Sequence, residues 1–450
     1  MAIDSTDIHI AEKEYRYWLC NIPGIGARKI AELLHYFGSG EEIWKSTEEA
    51  LKTAMNQVSE GKNLFRKEDF TSLQEAKETL SAASDAYHKL EEKGIRFITP
   101  DDRWYPERLR NLYDMPQGLY ISGEIPGETQ ERPTVAIVGA RNCSHYGEEM
   151  AFTLARELCS RGVDIISGMA LGIDGAAHRG ALKAIETVGV TARSQAETAR
   201  GQAENAYYGK YQSYEREPSY LKESLSLKEN SRLKESLNDN LDDGLNEDVG
   251  KTYAVLGSGV DICYPRTNWD IYHQLNTGSD KGGILSEFPP QTAPVAPNFP
   301  MRNRIISGLA DMVIVIEARF RSGSLITADQ ALEQGRDVYA VPGRITDPLS
   351  RGCNELIRQG AGIITDPVEF AEKYFYKQDS CAPKCKKNKI ALALSEEKVY
   401  SCLDFSPTHL SIIVDRTGFS MQETVSVLMQ LMMKGLVTET SKNYYALKFR

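Results

Sequence analysis

The chain has 450 residues, room for two or three domains, with 41% hydrophobic residues and a formal net charge of −10. No run approaches the ~18 uninterrupted apolar residues of a membrane span, and residues 1–18 carry acids early without an apolar stretch, so neither a membrane span nor a signal peptide is expected. The acidic balance excludes a protein coated in basic surface, but it leaves room for the local cationic groove that nucleic-acid binding needs.

Residues 1–100 read as a small helical domain, with apolar residues at helical spacing through Tyr15–Leu19, Ile30–Leu34 and Leu73–Leu90. Between the first two lies the tight turn Asn21-Ile22-Pro23-Gly24-Ile25-Gly26. It either only turns the chain or aims backbone N–H groups at a phosphate, with Arg28 and Lys29 as the nearby cations.

From Thr134 the pattern changes. Apolar strands are predicted at Val135–Val138, Val163–Ile166, Tyr253–Leu256, Gly283–Glu287, Met312–Glu317, Val338–Val341 and Ile363–Thr365, with helices between most of them, such as Glu148–Ser160, Asn268–Leu275 and Leu325–Gln334. This alternation predicts a doubly wound α/β domain over 101–376 with a mostly parallel sheet. Ligands of such sheets bind at the carboxyl ends of the strands.

Residues 187–249 break the rhythm. They are polar, hold 8 basic and 12 acidic residues, and repeat imperfectly as Leu221-Lys-Glu-Ser-Leu, Leu227-Lys-Glu-Asn-Ser and Leu233-Lys-Glu-Ser-Leu. A low-complexity insertion in a surface loop, disordered or loosely helical, is expected, with partner binding as a second reading. Residues 377–394 read as a linker. Residues 395–450 then read as a winged helix: helices at Glu396–Leu403, Thr408–Thr417 and Met421–Lys434, with a β-hairpin over Leu436–Leu447.

Four loops hold the unusual residues. They are Gly139-Ala140-Arg141-Asn142-Cys143-Ser144, Ser167-Gly168-Met169 running on through Gly172 and Asp174 to His178, Asn298-Phe299-Pro300-Met301-Arg302-Asn303-Arg304, and Arg321-Ser322-Gly323-Ser324 running on to Thr327. Small residues let backbone N–H groups approach an anion, and a helix N-terminus behind them favours negative charge. Arg141, Arg302 and Arg304 add grips on phosphate oxygens. Two arginines at i and i+2 point differently on a helix, so at least one is expected in an extended stretch after Pro300. Anion binding along this edge follows.

Other chemistry is weaker. Gly250-Lys251-Thr252 looks like the end of a P-loop, but Leu245 stands where its first glycine belongs and the triplet precedes a strand. Gly257-Ser258-Gly259 lacks the third glycine of a dinucleotide fingerprint. The cysteines at 20, 143, 159, 263, 353, 381, 385 and 402 offer only one close pair, Cys381 and Cys385, so reduced thiols in a cytoplasmic protein are expected rather than a metal site. Asp174 and His178 stand one helical turn apart and read either as an acid–base pair or, for Asp174, as the N-cap of a helix from Gly175. Glu287 at a strand end is similarly open.

Taken together, the loops resemble the DNA-processing protein A (DprA/Smf) family. The resemblance rests on Tyr105-Pro106-Glu-Arg-Leu109, Asp114-Met-Pro116, Leu119-Tyr-Ile-Ser-Gly123, Ile137-Val-Gly-Ala-Arg-Asn142, Ser167-Gly-Met-Ala-Leu-Gly-Ile-Asp-Gly175 and Ala254-Val-Leu-Gly257 with Tyr264-Pro265. Phe299-Pro-Met-Arg-Asn-Arg-Ile-Ile-Ser-Gly308, Ser322-Gly-Ser-Leu-Ile-Thr327 and Ala340-Val-Pro-Gly343 complete it. It runs from about residue 100 to 366 and departs from the family in the 187–249 insertion. The resemblance implies a Rossmann-like core, homodimers, no catalysis and no cofactor. It further implies binding of single-stranded DNA and loading of the RecA recombinase during natural transformation, on strands covered by single-strand-binding protein. Carried over by motif, the DNA site would comprise Gly139, Ala140, Arg141, Ser167, Gly168, Met169, Gly172, Arg302, Asn303, Arg304, Ser322, Gly323, Ser324 and Thr327.

Two rivals stand beside this reading. One is a Rossmann-like enzyme acting on nucleoside monophosphates through Asp174, His178 or Glu287. The other is a transcription factor reading DNA through the winged helix, against which the helix from Met421 to Lys434 carries one cation and one acid, too few for phosphate and base contacts.

Overall fold

Runs such as Val135-Ala-Ile-Val138 and Met312-Val-Ile-Val-Ile316 have no polar face, so both faces of any sheet they form must be covered. The structure, a computed structural model, describes residues 5–58, 64–189, 249–277, 280–375, 392–404 and 407–448. Most of 187–249 and of the linker 377–394, with Cys381 and Cys385, lies outside the described residues. At the borders of the first segment, helix continues through residue 189 and Val249 is buried in the core.

Nine strands form the main sheet: β1 (Ile95–Ile98), β2 (Leu119–Gly123), β3 (Thr134–Gly139), β4 (Asp164–Ser167), β5 (Thr252–Val255), β6 (Gly282–Ser286), β7 (Met312–Ile316), β8 (Asp337–Ala340) and β9 (Gly362–Ile363). Their spatial order is β1-β2-β6-β5-β4-β3-β7-β8-β9. The run from β6 to β9 is parallel throughout. This is the expected Rossmann-like sheet, and all seven predicted strands lie in it.

Two strands add to the expectation. β1 and β2 pair antiparallel with each other, and β2 pairs antiparallel with β6. Residues 95–98, read above as part of a helical segment, therefore belong to the sheet. Their pairing with β2 gives Ile95, Phe97 and Ile98 buried positions that no helix there would supply.

Alternation along each strand feeds two cores. Val135 and Ile137 of β3 join one cluster with Met150, Leu154 and Leu158 of the helix His145–Cys159. Ala136 and Val138 join the other, with Ile305 and Ile306 of the helix Asn298–Leu309 and Ala328 of the helix Gly323–Glu333. A period-two strand can serve both faces at once.

Strand order reverses between β3 and β7. The chain moves outward from β3 through β4, β5 and β6, then returns to lay β7 on β3's other side. At such a switch point the loops leave the carboxyl edge in opposite directions and open a crevice.

Before the sheet come six helices, Ser5–Cys20, Ala27–Phe37, Gly40–Lys45, Glu48–Val58, Lys67–Lys77 and Leu80–Glu92, around a core that includes Trp18, Leu33, Leu51 and Leu73. After it come helices Leu394–Ser401, Leu410–Thr417 and Met421–Met433 with a small sheet of Thr408–His409, Tyr444–Leu447 and Val437–Ser441. That is the winged helix expected from the sequence, with Thr408 and His409 in the sheet rather than the helix.

Candidate nucleic-acid interface

Loops following β3, β4, β5, β6 and β7 line one cleft of about 750 Å³ at the switch point. Gly139, Ala140, Arg141, Arg302, Asn303, Ser322, Gly323, Ser324 and Thr327 all lie on its wall. Val138 and Thr327, 189 positions apart in sequence, meet there only because the strands are parallel and their carboxyl ends are aligned.

Ser167, Gly168, Met169 and Gly172 stand behind that wall. The Ser167 hydroxyl donates to the Ile137 carbonyl at 2.6 Å. A Cβ on Gly168 would come within 2.6 Å of the Arg302 guanidinium, so glycine there makes room for the arginine. Met169 is fully buried. Gly172 has φ +72 and backs onto the Ala140 and Arg141 main chain. These residues shape the surface rather than form it.

Arg302 and Arg304 both lie within the helix Asn298–Leu309. The expectation that one sits in an extended stretch is corrected, because the helix begins before Pro300 and accommodates the proline in its first turn. Arg302 donates to the Gly168 carbonyl at 2.8 Å and to the Val255 carbonyl. Burial pushes its guanidinium down to about 10. Arg304 points elsewhere: Nε meets Asp114 at 2.8 Å, and Nη2 meets both carboxylate oxygens of Glu287 at 2.8 and 2.9 Å. It does not line the cleft, and its charge is spent on two carboxylates. Glu287 is thereby read as a structural partner.

The exposed charge of the cleft comes from Arg141 and Arg319. The Arg141 guanidinium carbon lies 4.9 Å from the centre of the Phe299 ring, and that of Arg302 lies 5.8 Å from it. Tyr264, 44% exposed, stands 5.9 Å from Phe299 at 35° between ring planes. Two aromatic rings with a cation beside them make a platform for a nucleobase. The motif-based site left out Phe299, Tyr264 and Arg319, because an aromatic residue at a helix start or an arginine beyond a strand reads equally well as core or solvated surface.

Backbone donors in the cleft are not all available. The Glu317 carboxylate, held by φ +53 at the end of β7, accepts from Ser144 N at 2.8 Å and from the Ser144 hydroxyl. It occupies the N-terminus of the helix after β3, where a dinucleotide phosphate would bind in this fold. Asp174 accepts from the N–H groups of Gly168 at 3.1 Å and Ala170 at 3.4 Å. It lies inside the helix over 173–189, so it is not the N-cap of a helix from Gly175. Burial raises its carboxyl above the usual range, against the pull of Arg302. The helix Gly323–Glu333 is different. Ser322 makes no side-chain cap, its hydroxyl bonds that of Ser324 at 2.7 Å, and nothing lies within 4 Å of a Cβ placed on Gly323. This helix start opens on the cleft.

His178 is fully buried with Nδ1 2.8 Å from the Thr252 hydroxyl, and burial pushes its ring down to about 3. It faces Thr252 and not Asp174. Lys251 pairs with Glu124 at the opposite, amino edge of the sheet. Among the described residues, no cluster of three or more His, Cys, Asp or Glu could hold a metal ion, and no helix is long and apolar enough to cross a membrane.

Residues 96–211 and 243–375 match the family model described as DNA recombination-mediator protein A, and residues 386–441 match the DprA winged helix domain. The chain belongs to the DNA recombination-mediator protein A family. Its relatives in that family include protein Smf of Escherichia coli, 30% identical over 80% of this chain and 79% of the relative. DNA processing protein DprA of Bacillus subtilis is 33% identical over 63% of this chain and 72% of the relative. An X-ray structure of DNA processing protein A (DprA) from Streptococcus pneumoniae, 28% identical, is similar over 81% of this chain and 98% of that one with a TM-score of 0.56. Residues 212–242, which the family model leaves unmatched, fall inside the polar segment.

Proposed function

We propose that this protein binds single-stranded DNA in the switch-point cleft and hands the strand to the RecA recombinase, without catalysing a reaction. The observation that carries the reading is the arrangement of Arg141 over Phe299, with Tyr264 beside it, facing the open helix start at Gly323 and Ser324. A strand's phosphate fits the helix start and the exposed cations, while an unstacked base lies on the aromatic rings. A duplex keeps its bases stacked inside and has no use for such a platform. The recombination-mediator description of the family, and the DNA-processing names of its relatives, support the same direction.

A nucleotide-processing enzyme is the poorer reading. Glu317 and Asp174 fill two of the N–H clusters that a nucleotide phosphate would use, and His178 is buried away from the cleft. The proposed protein acts in the cytoplasm as a homodimer. On DNA precoated with single-strand-binding protein, it should speed RecA filament formation at amounts well below saturation of the strand. Inhibition of filament formation at every ratio would reduce it to a passive binder.

A further inference from the structure

Trp269 is 58% exposed, whereas large aromatic side chains ordinarily seek burial. It opens the helix Trp269–Thr277, directly after the turn Arg266–Asn268. Its indole is offset-stacked on Tyr272, with ring centres 5.7 Å apart and 27° between planes, and His273 stands 6.0 Å away. These contacts brace the ring while more than half of the side chain stays exposed to solvent.

Its position ties it to the cleft. Tyr264, on the cleft wall, is five residues earlier in the same loop, a reach of at most about 18 Å even for extended chain, and the intervening turn shortens it. Asn268, the residue before Trp269, is buried and donates to the carbonyls of Met169 at 3.0 Å and Ala170 at 2.9 Å. Ala170 is itself cleft wall. The acid next to the indole, Asp270, is matched by Arg179 at 2.9 and 3.0 Å, and Arg266 is exposed in the turn. An anionic strand leaving Phe299 and Tyr264 in this direction meets a neutralised carboxylate, an arginine and a rigid aromatic face.

We infer that Trp269 is a second base-stacking platform, which carries single-stranded DNA out of the cleft along the loop after β5. The inference rests on the single-strand reading of the cleft and extends its footprint. A strand too short to span from Phe299 to Trp269 gains nothing from the indole, and a longer one does.

The test uses the full chain and oligothymidylates of roughly 4 to 16 nucleotides, the range of single-strand site sizes. Long oligonucleotides should quench tryptophan emission, and Trp269→Phe should abolish the quench at near wild-type affinity. Trp269→Ala should bind the longest oligonucleotides about 5- to 150-fold more weakly, the worth of stacking one base, and the shortest equally well. Wild-type affinity of Trp269→Ala at every length overturns the inference while leaving the cleft reading intact. Failure of the wild-type chain to bind any of these strands overturns the cleft reading itself.

Discussion

Arg302 and Arg304 sit two positions apart on one helix, and their side chains leave it about 200° apart. One braces the cleft wall and the other is locked between Asp114 and Glu287. Charge reversal should therefore separate binding from stability. Arg141→Glu and Arg319→Glu, both exposed, should each flatten the log-log salt dependence of single-strand binding by about 0.7 and leave the unfolding midpoint unchanged. Arg304→Ala removes a buried guanidinium and leaves the part-buried Glu287 carboxylate without its partner, which should cost about 3 kcal/mol of stability in urea unfolding. A stable Arg304→Ala protein that has lost DNA binding would contradict this division. The buried histidine gives a second residue-scale expectation. Its ordinary value is 6.5 and its folded value about 3, so unfolded chains take up a proton that folded ones refuse. Stability should fall as pH drops below about 6.5, by at most about 4–5 kcal/mol when pH 3 is reached. Asp164, raised to about 6 by burial, acts in the opposite sense between its ordinary 3.8 and that value. His178→Gln should lose less stability than the wild type as pH falls below 6.5, the difference growing toward pH 3. An unchanged acid profile in that variant would show that the ring titrates normally.

At the scale of elements, the seven parallel strands were legible because buried parallel strands are continuous apolar runs set between helical patterns. The antiparallel pair was not. Ile95-Arg-Phe-Ile98 and Leu119-Tyr-Ile-Ser-Gly123 are too short for periodicity to separate strand from helix, and only their pairing decides. The site was half legible. Glycines and serines after strands marked the edge of the sheet that lines the cleft, but sequence does not reveal that Glu317 and Asp174 turn inward onto the same loops. Nor does it distinguish Phe299 as platform from Phe299 as core. The polar segment belongs to this scale too. The core closes around Val188 and Val249 on either side of it. Deleting residues 190–248 behind a short Gly/Ser linker should shift the melting temperature by only a few degrees and leave single-strand affinity unchanged, since loop-closure entropy varies only as about (3/2)RT ln n. A deletion variant that cannot fold would mean that the segment itself supplies packing.

For the whole molecule, the acidic total and the cationic cleft fit together. With a net charge of −10, average surface repels DNA, so on the proposed reading binding would concentrate in the cleft that Arg141 and Arg319 line together with Phe299 and Tyr264. The winged helix adds no obvious duplex reader. Its helix Met421–Met433 exposes Met421, Met429 and Met433 and carries no basic residue in its last turn. The cleft should therefore prefer single strand over duplex. This preference is tested most directly by competing one labelled oligothymidylate against unlabelled single strands and duplexes of equal length across a salt series. The single strand should win at every salt concentration, by a margin that shrinks when Phe299 is replaced by alanine. Equal or tighter binding of duplex, unaffected by Phe299→Ala, would contradict the account.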